Sequence, residues 1–272
     1  MKLWNKTVVI TGAGSGIGRA LCHELIREGC HLAMVDLDVQ GLNETKEGLS
    51  NTDRRVSCHV IDLSVEENCK ELPKIVLSEH PSVDILINNA GISAYGKFQR
   101  MEAEVFDRVM SVNFQAPVRL IRLFLPYLRK RPEALIVNMS SIFGIIAPPA
   151  RSAYVASKFA LRGFSKSLHL DLKKSNVNVL TVFPGGVATK IAVRVGETQS
   201  WSDHKRERLS RQEQKLLSMS PSYVAGKVVL GIKKGEHHLL IGRDARLASI
   251  AERIFPRSYW KKLQFFIHRK LN

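Results

Sequence analysis

The sequence predicts an α/β domain built on a doubly wound parallel sheet with helices on both faces, and three observations carry that expectation. Short apolar runs of strand length alternate with longer segments whose apolar residues recur at helical spacing, from about residue 6 to residue 242. The first run, KTVVIT, opens into a glycine-rich turn, TGAGSGIG, and then into a helical stretch, IGRALCHELIREG. The second run, HLAMVDLD, reaches Asp36 eighteen residues after Gly18, close to the roughly 20 expected of a dinucleotide-binding βαβ unit.

The remaining elements follow the same rhythm. Residues 39–49 read as a helix, RRVSCHVIDL as a strand, 65–80 as a helix and VDILINNAG as a strand. A helical pair is expected over about 101–130, then a strand at ALIVNMSS, a helix over 153–175 and a strand at VNVLTVFPGG. Residues 190–220 are polar and helix-prone and are expected to form a lid. PSYVAGKVVLGIKKG then reads as a helix and HHLLIG as the last strand. Strand–helix alternation implies right-handed crossovers and hence parallel strands. With no linker or internal repeat, one domain is expected over 1–242, followed by a basic amphipathic extension over 243–272.

Composition narrows the function classes. Hydrophobic residues at 44% and charged residues at 24% describe a globular chain, and no apolar run reaches membrane-spanning length. The start, MKLWNKTVVITG, lacks the pattern of a signal peptide, so a cytoplasmic location is expected. Cys22, Cys30, Cys58 and Cys69 form no CxxC pair and read as reduced thiols filling space; the nine histidines fall in no ligand spacing, and no metal is expected. The net charge of +16 raises nucleic acid or an anionic membrane as partners. Between 246 and 272 there are seven Lys or Arg against one Glu, so much of the excess sits at the end of the chain. No nucleic-acid recognition motif accompanies it, and no specific nucleic-acid partner is expected.

The glycine turn carries the first piece of chemistry. Read as GxGxxG it fails at Ile17, but TGxxxGxG fits. Gly12, Gly14, Gly16 and Gly18 let the backbone turn tightly and approach a pyrophosphate held at the following helix N-terminus, with Ser15 and Ile17 beside them as cofactor-binding positions. Asp36, at a strand end, can accept hydrogen bonds from a ribose diol and repel a 2′-phosphate, which predicts NAD. Arg19, in the first turn of the helix, leaves NADP open. The second piece is Tyr154 and Lys158, which share one face of a helix at i,i+4, with Ser141 thirteen residues upstream.

In order and spacing, TGAGSGIG, Asp62–Leu63, NNAG at 88–91, Asn113, Ser141, YVASK at 154–158 and PGGVAT at 184–189 make the chain resemble the short-chain dehydrogenase/reductase family over about residues 5–242. The resemblance implies a Rossmann-like fold. It places Asp62 and Leu63 against adenine, Asn88, Asn89, Ala90 and Gly91 along the cofactor, and Pro184, Gly185, Val187 and Thr189 at the nicotinamide end. It assigns catalysis to Asn113, Ser141, Tyr154 and Lys158, with Asn113 fixing a water that links Lys158 to a proton relay. It also implies a homodimer or homotetramer packed through the helices over 113–130 and 153–175.

The assigned roles make physical sense. A tyrosine of pKa about 10 becomes a base near neutral pH only if its anion is stabilised by roughly 2–3 units, about 3–4 kcal/mol. Lys158 is expected to supply that stabilisation, helped by the positive ring of an oxidised nicotinamide. Tyr154 then takes the hydroxyl proton as hydride leaves the same carbon, and Ser141 holds the substrate oxygen. Ile92, Tyr95, Phe143, Ile145 and Ile146 offer an apolar wall, which predicts a lipophilic secondary alcohol or ketone, although the same residues suit a subunit contact. At 257–271, Tyr259, Trp260, Leu263, Phe266, Ile267 and Leu271 share a helical face with basic flanks, suiting an anionic membrane surface or a partner subunit. Two alternatives stand beside an NAD-dependent alcohol dehydrogenase: a catalytically silent NAD-binding regulatory or scaffolding protein, and an NADP-dependent carbonyl or 3-oxoacyl reductase.

Overall fold

A computed structural model describes residues 1–49, 52–189 and 217–264. Seven strands form one parallel sheet in the order β3-β2-β1-β4-β5-β6-β7. They are β1 (Thr7–Thr11), β2 (His31–Asp36), β3 (Val56–Val60), β4 (Ile85–Asn88), β5 (Ala134–Met139), β6 (Val177–Pro184) and β7 (His238–Ile241). The helices are α1 (Gly16–Arg27), α2 (Val39–Glu47), α3 (Glu66–Glu79), α4 (Ala103–Met110), α5 (Ala116–Leu128), α6 (Ser152–Asp171), α7 (Pro221–Lys234) and α8 (Arg243–Ile254).

Alternate residues of each central strand feed opposite layers, as a two-residue period requires. Val8 and Ile10 of β1 join Leu21 and Leu25 of α1 and Val224, Val228 and Ile232 of α7 on one face. Val9 between them joins Leu72 and Val76 of α3 and Leu120 and Phe124 of α5 on the other. The strand order reverses direction between β1 and β4, where a doubly wound sheet opens a crevice beyond its C-terminal strand ends.

Three details depart from the sequence reading. The expected helical pair over 101–130 is joined without a loop by one π-helical turn, Ser111–Gln115, a geometry that recurs at functional sites. A helix absent from the sequence reading, α8, follows β7 directly, starting at Gly242 with φ of 104°. Residues 259–264 are again helical, and Tyr259, Trp260 and Leu263 pack against Ile145, Ile146, Phe183 and Ala248 of the same chain. The Tyr259 hydroxyl accepts from the Ala147 backbone N–H at 3.0 Å. Half of the apolar face expected over 257–271 therefore points into this domain; Phe266, Ile267 and Leu271 lie outside the described residues. So does most of the expected lid, residues 190–216. Among the described residues no helix is long and apolar enough to cross a membrane.

Candidate active site

The glycine turn begins where β1 ends. Gly12 and Gly16 have φ of 69° and 53°, a region costly for residues with a Cβ. A Cβ on Gly12 would also stand 2.9 Å from Ala90 Cα. Thr11 ties this turn to the NNAG segment: its Oγ1 accepts from the Asn89 and Ala90 backbone N–H groups, each at 3.0 Å. The Asn89 side chain donates to the carbonyl of Thr11 at 2.9 Å. The Asp36 carboxylate accepts from Gly14 N at 2.8 Å and from Asp38 N at 3.0 Å, so it fixes the turn as well as facing the crevice.

Two motif members act from beneath the surface rather than on it. Gly18 packs against the Gly12 carbonyl, which a Cβ there would overlap. Asn88 is buried and donates to Asn138 Oδ1 at 2.8 Å, and Asn138 donates to Ser165 Oγ on α6 at 2.8 Å. Arg19, which left a 2′-phosphate open, is engaged elsewhere. It donates to Glu44 Oε2 at 2.7 Å, to the Gly14 carbonyl at 2.6 Å and to Thr45 Oγ1 at 3.0 Å.

One cleft of about 1170 Å³ runs from this turn over the strand ends. Gly12, Ser15, Gly16, Ile17, Asp36, Asp62, Leu63, Asn89, Ala90, Gly91, Ser141, Tyr154, Lys158, Pro184, Gly185, Val187 and Thr189 all line it. Asp62 accepts from the Ser64 hydroxyl and backbone N–H, and the hydroxyl bond is the main reason its carboxyl ionises below the usual range. Past β6, Gly186 N donates to Asp244 of α8 at 2.7 Å, and Val187 bridges to Met219. Thr189 closes over the glycine turn, 3.2 Å from where a Cβ of Gly16 would stand.

Tyr154 and Lys158 meet on one face of α6 as the i,i+4 spacing predicts. Tyr154 is 9% exposed and Lys158 3%. The Lys158 ammonium lies 5.6 Å from the Tyr154 ring centroid and donates to the Met139 carbonyl at 2.9 Å. Burial alone brings its pKa down to about 8. Burial raises the Tyr154 phenol, opposed by a hydrogen bond with Ser141 and by the charge of Arg151. Ser141 has a second duty as the cap of the short 3₁₀ turn Ile142–Gly144, accepting from Phe143 N at 3.1 Å.

Asn113 is fully buried in the π turn. Its amide accepts from Ile92 N at 2.8 Å and donates to Ile92 O at 2.9 Å and Ser157 Oγ at 3.0 Å. Ser157 donates in turn to the Tyr154 carbonyl at 2.8 Å. The side chain thus clamps the loop after NNAG to the turn of α6 that carries Tyr154.

The short chain dehydrogenase family pattern matches residues 6–200. The chain belongs to the short-chain dehydrogenase/reductase family, as an oxidoreductase. It is 34% identical over 260 residues to SadH of Mycobacterium tuberculosis, covering 93% of this chain and 92% of that protein. It is 30% identical over 244 residues to the 3-oxoacyl-[acyl-carrier-protein] reductase FabG of Thermotoga maritima, covering 86% of this chain and 99% of the relative. Among solved structures, a short-chain dehydrogenase/reductase from Burkholderia phymatum in complex with NAD superposes with a TM-score of 0.83 at 26% identity, over 97% of this chain and 96% of that one.

Beyond the family motifs, the cleft has walls that local spacing does not announce. Ile92, Tyr95, Phe143 and Ile146 line it as expected, whereas Ile145 is buried behind the wall with Phe183. Arg151 also faces the cleft; it lies 4.8 Å from the Tyr95 ring and donates to Ser93 Oγ at 3.0 Å. Tyr223 of α7, Arg243 and Asp244 of α8, and Trp260 and Gln264 complete the outer end. Among the described residues no group of three or more His, Cys, Asp or Glu is placed to hold a metal ion. The four cysteines are unpaired, and burial pushes Cys30 up to about 12.

Proposed function

We propose that this oxidoreductase interconverts a lipophilic secondary alcohol and its ketone with NAD, using Tyr154 as the general acid and base. The observation that carries the reading is the placement of Tyr154, Lys158 and Ser141 together in the cleft whose inner end is the glycine turn. Gly12 and Gly16, both with positive φ, give the turn a backbone path that suits a pyrophosphate, and Asp36 lies where a ribose diol would be read. A nicotinamide bound along this cleft supplies the hydride donor or acceptor.

The chain's own residues handle the proton. Ser141 and Tyr154 converge on one oxygen of the substrate, Ser141 donating to it as charge develops. The raised pKa of Tyr154 keeps the phenol neutral, the form that gives a proton to a ketone as hydride arrives at its carbon. In the reverse direction the alcohol's proton passes to the phenolate as hydride leaves. Lys158, at about 8, stands next to Tyr154 as a group able to exchange a proton near neutral pH. Asn113 acts as a positioning residue through Ser157.

Asp36 and the engagement of Arg19 by Glu44 support NAD as the preferred dinucleotide. The apolar residues Phe143, Ile146, Tyr223 and Trp260 support a lipophilic ligand. The FabG relative supports a second reading, reduction of a 3-oxoacyl group with NADPH. A silent binding protein is the weaker reading, since no member of the proton-handling set is missing. Family likeness supports a homodimer or homotetramer through α5 and α6, and a cytoplasmic enzyme. The deciding assay is a panel of lipophilic alcohols, ketones and 3-oxoacyl thioesters, followed by reduced-nicotinamide absorbance with NAD(H) and NADP(H) in parallel. Equal or better efficiency with NADP(H) and a 3-oxoacyl thioester would replace the first reading with the second.

A further inference from the structure

The helix α8 is amphipathic in the opposite sense to a helix that buries its bulk on its own sheet. Its inward residues are the small Ala245 and Ala248, both buried. Its large ones, Leu247, Ile250 and Ile254, are 62%, 55% and 60% exposed. Spaced three and four apart at about 3.6 residues per turn, they form one stripe along the helix. Phe255, 41% exposed, prolongs it past the helix end. A single exposed leucine needs no explanation, but a contiguous row of large apolar side chains marks a contact surface.

The charges around the stripe are sorted by sign. Arg246 and Arg253 run along one flank, Arg243 stands at its start, and Arg257, Lys261 and Lys262 lie beyond its end, all exposed. The two acidic residues of the segment are turned away: Asp244 toward Gly186 N at 2.7 Å, and Glu252 on the far side of the helix, half-buried. Residues 243–264 thus carry six Lys or Arg against two acids.

We propose that the Leu247–Ile250–Ile254–Phe255 face of α8 docks on an anionic lipid surface. An apolar stripe with a cationic border suits the boundary between acyl chains and negative headgroups, where each basic residue near the surface adds attraction and the apolar side chains enter to a depth of about 5–10 Å. A second copy of this chain fits the border poorly, because a two-fold contact would bring the same arginines against one another. Arg243, Trp260 and Gln264 line the outer end of the cleft, so docking through α8 sets that opening beside the lipid.

Flotation of the full-length protein with vesicles of phosphatidylcholine, with and without phosphatidylserine, tests this. Wild type should float with the phosphatidylserine vesicles, remain behind with phosphatidylcholine alone, and be released by high salt. Leu247→Ser/Ile250→Ser/Ile254→Ser and, separately, Arg246→Glu/Arg253→Glu should each lower the bound fraction by at least about tenfold, with wild-type circular dichroism and cofactor affinity. The charge-reversal pair is exposed and keeps the test valid if the triple variant misfolds. Absence of flotation by wild type, or equal flotation by the charge-reversal variant, overturns the proposal. A wild-type oligomer that the triple variant dissolves, without lipid binding by either, would assign the face to a second copy instead.

Discussion

The Lys158 ammonium is buried 5.6 Å from the centre of the Tyr154 ring and is held by the Met139 carbonyl at 2.9 Å, so a cation out of water joins α6 to the end of β5. Its cost to the fold has a definite sign. In the unfolded chain the lysine keeps its proton to about 10.5, and in the fold it loses it at about 8. Between those values the unfolded state holds more protons, so stability rises with pH; below about 8 the penalty is present in full.

Lys158→Met should therefore stabilise the fold by about 3 kcal/mol at neutral pH while removing activity. The advantage over wild type should shrink as pH rises from about 8 to 10.5. Urea unfolding of both proteins across that range checks it. A variant less stable than wild type at neutral pH would mean that the bond to Met139 outweighs the desolvation of the charge.

Asp36→Asn separates two duties of one carboxylate. The amide oxygen can still accept from Gly14 N, so the glycine turn should be kept, while the bond from Asp38 N is lost because the amide nitrogen cannot accept. The negative charge that would oppose a 2′-phosphate is gone, and the ratio of kcat/KM for NAD over NADP should fall by about tenfold or more. An unchanged ratio would show that selectivity lies elsewhere in the cleft.

A buried histidine pair, His59 and His80, should make the fold acid-sensitive. Ser57 Oγ sits 2.7 Å from His59 Nε2 and 2.8 Å from His80 Nε2. One hydroxyl hydrogen serves one ring, so the other ring must donate to the oxygen. His80 Nδ1 has no partner among the described residues. The less costly assignment leaves it unprotonated, with His80 donating to Ser57 and Ser57 donating to His59. Burial, then the nearby charges of Arg55, His59 and His31, brings His80 down to about 4; burial also lowers His59, against the pull of Glu79. As pH falls from about 6.5 toward 4 the unfolded chain takes up protons that the fold refuses, so stability should drop by up to about 1.4 kcal/mol per unit for each ring. His80→Gln should flatten that slope in thermal melts; an unaltered slope would place the acid sensitivity in other groups.

The sheet was legible because every central strand is buried on both faces and reads as a mostly apolar run between glycines or turns, as in TVVIT and ALIVNM. The Tyr154–Lys158 pair was legible from helical period alone. α8 was not, since its bulky residues face outward and only alanines mark its inner side. Nor does spacing reveal Asp244, which reaches Gly186 across 58 residues, or the side-chain duty of Asn113. Asn88 and Gly18 belong to motifs but act from below the cleft, a distinction that rests on side-chain direction and close packing. Arg19 looked available for a phosphate because Glu44, twenty-five residues away, is its neighbour only in the fold.

The most direct measurement is single-turnover hydride transfer by Tyr154→Phe, with a ketone or alcohol that wild type accepts, alongside a cofactor titration. The variant removes one hydroxyl and keeps the ring that packs edge-on against Phe143. The transfer rate should fall by about 10²–10⁴-fold with cofactor affinity nearly unchanged. A transfer rate close to wild type, with the cofactor bound as before, would contradict the assignment of Tyr154 as the group that moves the proton.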